Sequence, residues 1–137
     1  MSAFPSEDTD LTHLLVVSDV GRSRAWYEGV LGATVEREYE GSCVLRLLGS
    51  WLLLVTGGGP GEDKPTVSFA PPGDPDRVSA ELIFRVPDCR GAYETLRARG
   101  ASFLTPPVDR GYEVRAFFRD PDGHLFEISE ISGRSTR

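Results

Sequence analysis

Histidine is scarce in this chain, which has only His13 and His124 among its 137 residues. Imidazole suits Fe, Ni and Zn, so a site for these metals has few donors to draw on. Neither histidine has a convincing nucleophile as a partner, and the sequence contains no recognisable Ser-His-Asp triad. The two cysteines, Cys43 and Cys89, are too few for a disulfide framework, and we predict that both are buried free thiols.

Long apolar runs and clustered positive charge are also missing. The longest apolar run is Trp51–Val55, far below the roughly 18 residues that a membrane span needs. The first ten residues are polar and acidic, unlike a signal peptide, and we therefore expect a cytoplasmic protein. The net charge of −6 disfavours nucleic acid and anionic membrane as partners, whereas it tolerates a cationic ligand.

The chain does contain an internal repeat with an offset of 69 residues. The segments 16–19 and 85–88 each end in an aspartate that can cap the first turn of a helix. Gly32 and Gly100 then take the position that favours a left-handed helix end. Between cap and glycine, residues at helical spacing define one face in each copy: Ser23, Trp26, Tyr27, Val30 and Leu31, then Cys89, Ala92, Tyr93 and Leu96.

Each predicted helix is preceded by one strand and followed by three. The strands are Leu11–Val17, Thr34–Tyr39, Cys43–Leu48 and Trp51–Thr56 in the first copy, and Ala80–Val86, Ser102–Leu104, Glu113–Arg119 and Leu125–Ile131 in the second. We therefore predict one α+β domain, residues 1–137, of two βαβββ modules. Module one is about 11–56 and module two about 78–131, joined by a Gly- and Pro-rich linker at 57–77.

Two segments resemble the vicinal oxygen chelate superfamily, which groups glyoxalases, bleomycin resistance proteins and extradiol dioxygenases. Residues 18–32, SDVGRSRAWYEGVLG, resemble the family's helix opening, and residues 119–130, RDPDGHLFEISE, resemble its closing hairpin, which places Glu127 four residues after a glycine. The resemblance covers residues 11–131. It implies a cupped mixed β-sheet with one helix on the outer face of each half. The opposite face, which we call the cup face, would form a cleft within one chain or across a homodimer.

In enzymes of this family the cleft holds a divalent metal between His and Glu ligands on the first and last strands of each module. The corresponding positions here are Thr12, Glu81, Glu127 and one of the leucines 52–54. This set lacks imidazole, so no metal is favoured. His13 would point to the opposite face of its strand unless a bulge shifts the register. With such a bulge, His13, Glu81 and Glu127 would form a metal site, and a divalent metal therefore stays possible.

Strand alternation places Glu81, Ile83 and Arg85 on the cup face. A buried carboxylate needs a partner, and two interpretations are open. Glu81 and Glu127 form ion pairs with Arg85 and Arg115, or they hold a metal or act as a base with raised pKa. The predicted ligand-binding set is Thr12, Leu14, Trp51, Leu54, Glu81, Ile83, Arg85, Tyr112, Arg115 and Glu127.

Two classes of function follow from these patterns. The first is a small-molecule-binding protein that captures a hydrophobic or aromatic metabolite or an antibiotic without the family's usual metal site, as resistance members of the family do. The missing imidazole and the apolar residues Leu14, Val16 and Ile83 support it. The alternative is a metal-dependent lyase, isomerase or dioxygenase that acts on a substrate with vicinal oxygens.

Overall fold

The computed structural model describes residues 3–132, and within this range it contains two helices and nine strands. Neither helix is long and apolar enough to cross a membrane. The elements are β1 (Thr12–Val16), α1 (Val20–Gly29), β2 (Thr34–Tyr39), β3 (Ser42–Leu47), β4 (Ser50–Val55), β5 (Leu82–Arg85), α2 (Cys89–Ala98), β6 (Ser102–Phe103), β7 (Val108–Asp109), β8 (Glu113–Arg119) and β9 (Leu125–Ile131).

Both helices begin and end where the repeat predicts. Asp19 and Asp88 are the N-caps of α1 and α2, and each side chain accepts a hydrogen bond from the backbone N–H three residues later. Gly32 and Gly100 follow the helices with φ of +76° and +109°, a backbone conformation that other residues adopt only at a cost. Local signals of this kind need no long-range contacts, which is why the sequence predicts them well.

The two modules have the same strand arrangement. Module one forms a sheet in the order β1-β4-β3-β2, and module two forms a sheet in the order β5-β9-β8-β6. In each, the strand before the helix runs parallel to the last strand, and the other pairs are antiparallel. The predicted α+β fold with two helices and mixed strand pairing is confirmed, and each module forms a sheet of its own. Module two differs in one detail: Pro106 and Pro107 separate β6 from an extra short strand, β7, that also pairs with β8.

One hydrophobic core joins the helices to both sheets. The ring of Trp26, on α1, lies 6.3 Å from the ring of Phe118 and 6.0 Å from that of Phe126, both in module two. Alternate residues of the strands point into this core, including Leu15 on β1 and Leu54 on β4, which are paired in register. The other alternate residues form the cup face, so the core determines which side chains are available for function.

The turn between β8 and β9, residues 120–123, fastens module two to module one. The hydroxyl of Tyr27 donates a hydrogen bond of 2.6 Å to Asp120, and burial together with this carboxylate raises the pKa of Tyr27. Just after the turn, Nε2 of His124 donates to the carbonyl oxygen of Val16, at 2.8 Å. The Asp-Pro-x-Gly motif therefore has a structural role, since it holds the two sheets side by side.

Candidate functional site

The cup face of module two carries an ordered array of charged and apolar side chains. Strand pairing aligns these residues in two rows, Ile83–Glu127–Phe117 and Arg85–Ser129–Arg115. Neighbours in a row project from the same face, opposite to the core residues Phe84, Phe126 and Ile128. The structure therefore brings together four of the predicted ligand-binding residues on one surface.

Glu127 is the most buried charged residue of this surface, with 5% of its area exposed. The carboxyl group of Glu81 is a close neighbour of the Glu127 carboxyl group. Burial raises the pKa of Glu127 to about 7, and the hydrogen bond with Glu81 and the negative charges of Glu81 and Glu113 add to the shift. Within residues 3–132 neither Glu81 nor Glu127 forms an ion pair.

The predicted ion pairs of Arg85 and Arg115 with Glu81 and Glu127 are wrong, because both arginines bind Glu113 instead. Nη1 of Arg115 lies 2.9 Å from one Glu113 oxygen, and Nη1 of Arg85 lies 3.4 Å from the other. Glu113 precedes Arg115 by two residues on β8, so the two side chains share a face. The same alternation rule would have identified Glu113 as a site residue.

Glu81 lies at the seam between the two modules. It precedes β5, which begins at Leu82 and is shorter than predicted, and it is exposed. It lines a cavity of about 330 Å³ together with Leu14 of β1, His124 after the β8–β9 turn and Pro75 of the connection between modules. Edge strand β1 therefore faces edge strand β5 here, and the seam joins module one to the charged surface of module two.

His13 points away from the cup face. Strands β1 and β4 pair in an unbroken register, in which His13 is opposite Leu52, a core residue that is 1% exposed. The bulge that would have turned His13 toward Glu127 is absent from β1. His13 does line a cavity of about 260 Å³ with Glu81, but Glu127 does not border that cavity.

Among the remaining predicted ligand-binding residues, Leu54 was placed on the wrong face. It is fully buried in the core opposite Leu15, whereas Leu53, its neighbour, faces the cup. Thr12 and Leu14 lie on the cup face, as the alternation predicts. Trp51 pairs with Thr12 and shares this face, where it is half-buried under the guanidinium of Arg46 at 4.2 Å. Ile83, on the cup face of module two, is partly exposed, and Tyr112, which precedes β8, is largely exposed.

The residues at the family's metal-ligand positions do not fit Fe, Ni or Zn, for which imidazole is a suitable ligand. They are Thr12, Glu81, Glu127 and Leu53, which combine one hydroxyl, two carboxyl groups and an apolar side chain without an imidazole. Across residues 3–132, His, Cys, Asp and Glu form no cluster of three that could hold a metal ion. The chemistry of the donors, more than their number, argues against an Fe, Ni or Zn centre.

Comparison with known families agrees with this architecture. The family model of the Glyoxalase/Bleomycin resistance protein/Dioxygenase superfamily matches residues 10–128, which include both helices, the seam and every strand except the last three residues of β9. The chain belongs to this superfamily. Its members share a fold but differ in chemistry, so membership leaves the function of the site to its own residues.

Individual relatives of this superfamily member agree on the fold. Lactoylglutathione lyase of Pseudomonas aeruginosa is 39% identical over 56 residues, which are 41% of this chain and 31% of the lyase, so the match spans about a third of that enzyme. A glyoxalase/bleomycin resistance protein/dioxygenase from Nocardioides has a TM-score of 0.70 at 24% identity, over 96% of this chain and 90% of that one. A mutant of the fosfomycin resistance protein FosX from Listeria monocytogenes, complexed with Mn(II) and 1S,2S-dihydroxypropylphosphonic acid, has a TM-score of 0.63 at 20% identity, over 93% and 92%.

Proposed function

We propose that this superfamily member captures a small hydrophobic or aromatic molecule, a metabolite or an antibiotic, on its cup face without the family's usual metal site. The observation that carries the proposal is the donor set at the four ligand positions. Two of them, Thr12 and Leu53, offer a hydroxyl group and an apolar side chain where a metal needs strong donors. Capture by shape and apolar contact needs no such donors.

Apolar side chains at the seam support this function. Leu14 and Ile83 lie on the two facing edge strands and are 40% and 44% exposed. Apolar side chains that project from strands into an open cleft lose unfavourable contact with water when a ligand covers them. Both residues border seam cavities with Glu81, so a ligand there would contact apolar surface and a carboxyl group together.

Binding of a neutral aromatic probe tests the proposal. We expect 2-naphthamide, measured by titration calorimetry, to bind the wild-type chain and to bind a Leu14→Ser, Ile83→Ser double variant at least tenfold more weakly. Val67→Ser removes an equally exposed apolar residue from the connection between modules and is the matched control. An absence of binding to the wild type, or an equal loss in the control, would contradict the proposal.

The second candidate function is a metal-dependent lyase, isomerase or dioxygenase acting on vicinal oxygens. The contact between Glu81 and Glu127 favours it, because two carboxylates held together are relieved by a cation. Elemental analysis of protein purified without chelator or His-tag separates the two candidates. Stoichiometric Fe, Ni, Mn or Zn that is lost in Glu127→Ala would overturn the binding-only proposal, whereas metal retained in that variant would count against this site.

A further inference from the structure

We propose that Arg85 and Arg115 recognise an oxyanion, a carboxylate in the first instance, on the aromatic or apolar ligand of the cup face. The inference rests on the proposed function and names the chemical class of its ligand. It begins from the charge balance of a three-residue cluster, in which Glu113 is almost completely buried between the two arginines. Two guanidinium charges against one carboxylate leave this three-residue cluster with one positive charge.

Both arginines keep hydrogen-bond donors available for a ligand. A guanidinium has five N–H donors in a planar fork, which matches the two oxygens of a carboxylate. Within residues 3–132 the hydrogen bonds of these two side chains use only Nη1: Arg115 donates to Glu113, and Arg85 donates to Glu113 and, at 2.7 Å, to Ser129. The side chains are 40% and 31% exposed, so a ligand can reach these guanidinium groups.

Glu113 also holds the two guanidinium groups in place before a ligand arrives. Each carboxylate oxygen binds a different arginine, and Ser129 lies between them in the same row of the sheet. A long side chain that is already immobilised loses less conformational entropy when it binds. The cluster is therefore a preorganised pair of donors rather than two independent surface charges.

The surroundings of the pair indicate what the oxyanion is attached to. The ring of Phe117 lies 5.7 Å from the guanidinium carbon of Arg115, and Val108, which is partly exposed, pairs with Arg115 across β7 and β8. Ile83 lies two residues before Arg85 on the same face. Apolar neighbours exclude water and strengthen a charge-assisted hydrogen bond, while they offer contact surface to a ring. An aromatic or apolar acid satisfies both features.

Three isosteric probes test this inference: 2-naphthoate, 2-naphthamide and 2-naphthylmethylammonium, titrated by calorimetry at low salt. We expect 2-naphthoate to bind about tenfold more tightly than the amide, and the cation to bind most weakly. Arg85→Gln and Arg115→Gln should each reduce the preference for naphthoate over naphthamide several-fold. Arg85→Lys keeps the charge without the planar fork and should retain part of the preference.

The matched control is Arg37→Gln, which removes an exposed arginine of β2 that donates to the Tyr39 hydroxyl, and it should leave the preference unchanged. Circular dichroism and thermal unfolding confirm that each variant is folded. If naphthoate binds no more tightly than the amide, or if folded arginine variants keep the full preference, this inference fails while the proposed function stands. Tightest binding of the cation would also overturn it and would point to Glu81 and Glu127. If none of the three binds, the proposed function and this inference fail together.

Discussion

Replacing Glu127 with glutamine is the substitution whose effect the structure predicts most sharply. In the folded chain this carboxyl is buried next to Glu81 and forms no ion pair among the described residues, so ionisation is costly. Glutamine has nearly the same shape, is neutral at every pH and can donate a hydrogen bond to Glu81 through its amide. The variant therefore removes the cost of the charge and keeps the packing.

The size and the sign of the effect follow from the pKa of Glu127. The pKa rises from 4.5 to about 7 on folding, and each pKa unit corresponds to about 1.4 kcal/mol, which gives roughly 3 kcal/mol in all. Between these two pH values the folded state binds a proton that the unfolded state has released, so stability falls as the pH rises through this window. Above pH 7 the whole penalty applies to the wild type, and below pH 4.5 none of it does.

We therefore expect Glu127→Gln to stabilise the chain by up to about 3 kcal/mol at pH 8, or roughly 10 °C in Tm, and to change little at pH 4.5. Urea unfolding at both pH values measures the difference, and thermal unfolding provides a second readout. Glu36→Gln, at an exposed position of β2, is the control and should have no comparable effect at either pH. A Glu127→Gln variant that is destabilised at pH 8, or whose effect is independent of pH, would refute the reasoning.

Four further outcomes are expected. Tyr27→Phe should cost about 2 kcal/mol in urea unfolding, because it removes a 2.6 Å hydrogen bond to the carboxylate of Asp120. Glu113→Gln should cost about 1–2 kcal/mol, and less in high salt, since it leaves two arginines without their shared partner. Cys43 and Cys89 are fully buried, and burial raises the pKa of Cys89 to about 11, so a thiol reagent should label neither until the chain is unfolded. We also propose a homodimer, for which light scattering should give twice the chain mass of 15.0 kDa.

The fold was predictable because its signals are local and occur twice. Helix-capping aspartates, left-handed glycines and period-two alternation each act over a few residues, and the repeat doubles every observation. Three strands, Thr34–Tyr39, Glu113–Arg119 and Leu125–Ile131, have the bounds that the sequence predicts. The strand predicted at Ala80–Val86 is shorter in the structure, where residues 82–85 pair in register with β9 and Ala80 and Glu81 precede the strand. Which residues pair depends on the neighbouring strand and cannot be predicted from the sequence of one strand alone.

For the candidate site, the sequence predicted only what the alternation of side chains along a single strand determines, namely which face each residue occupies. The same rule that placed Thr12 on the cup face correctly placed His13 on the core side. Alternation alone could not identify the ion-pair partner of Arg85 and Arg115, because that partner depends on which residues the register of β5, β8 and β9 brings together. Glu113, at the start of β8, forms ion pairs with both arginines, so neither forms an ion pair with Glu127.

The cup faces of the two modules differ in charge although their folds are the same. On module one, the cup-facing residues of β1 and β4 next to the seam are Thr12, Leu14 and Leu53, none of which is charged. On module two, each of the three strands β5, β8 and β9 contributes at least one charged residue to the same face: Arg85, Glu113, Arg115 and Glu127. A ligand that spans the seam therefore meets an apolar half and a charged half. The repeat offset makes Thr12 the equivalent of Glu81 in module one, and the same difference between the modules underlies both the poor metal site and the amphipathic ligand that we propose.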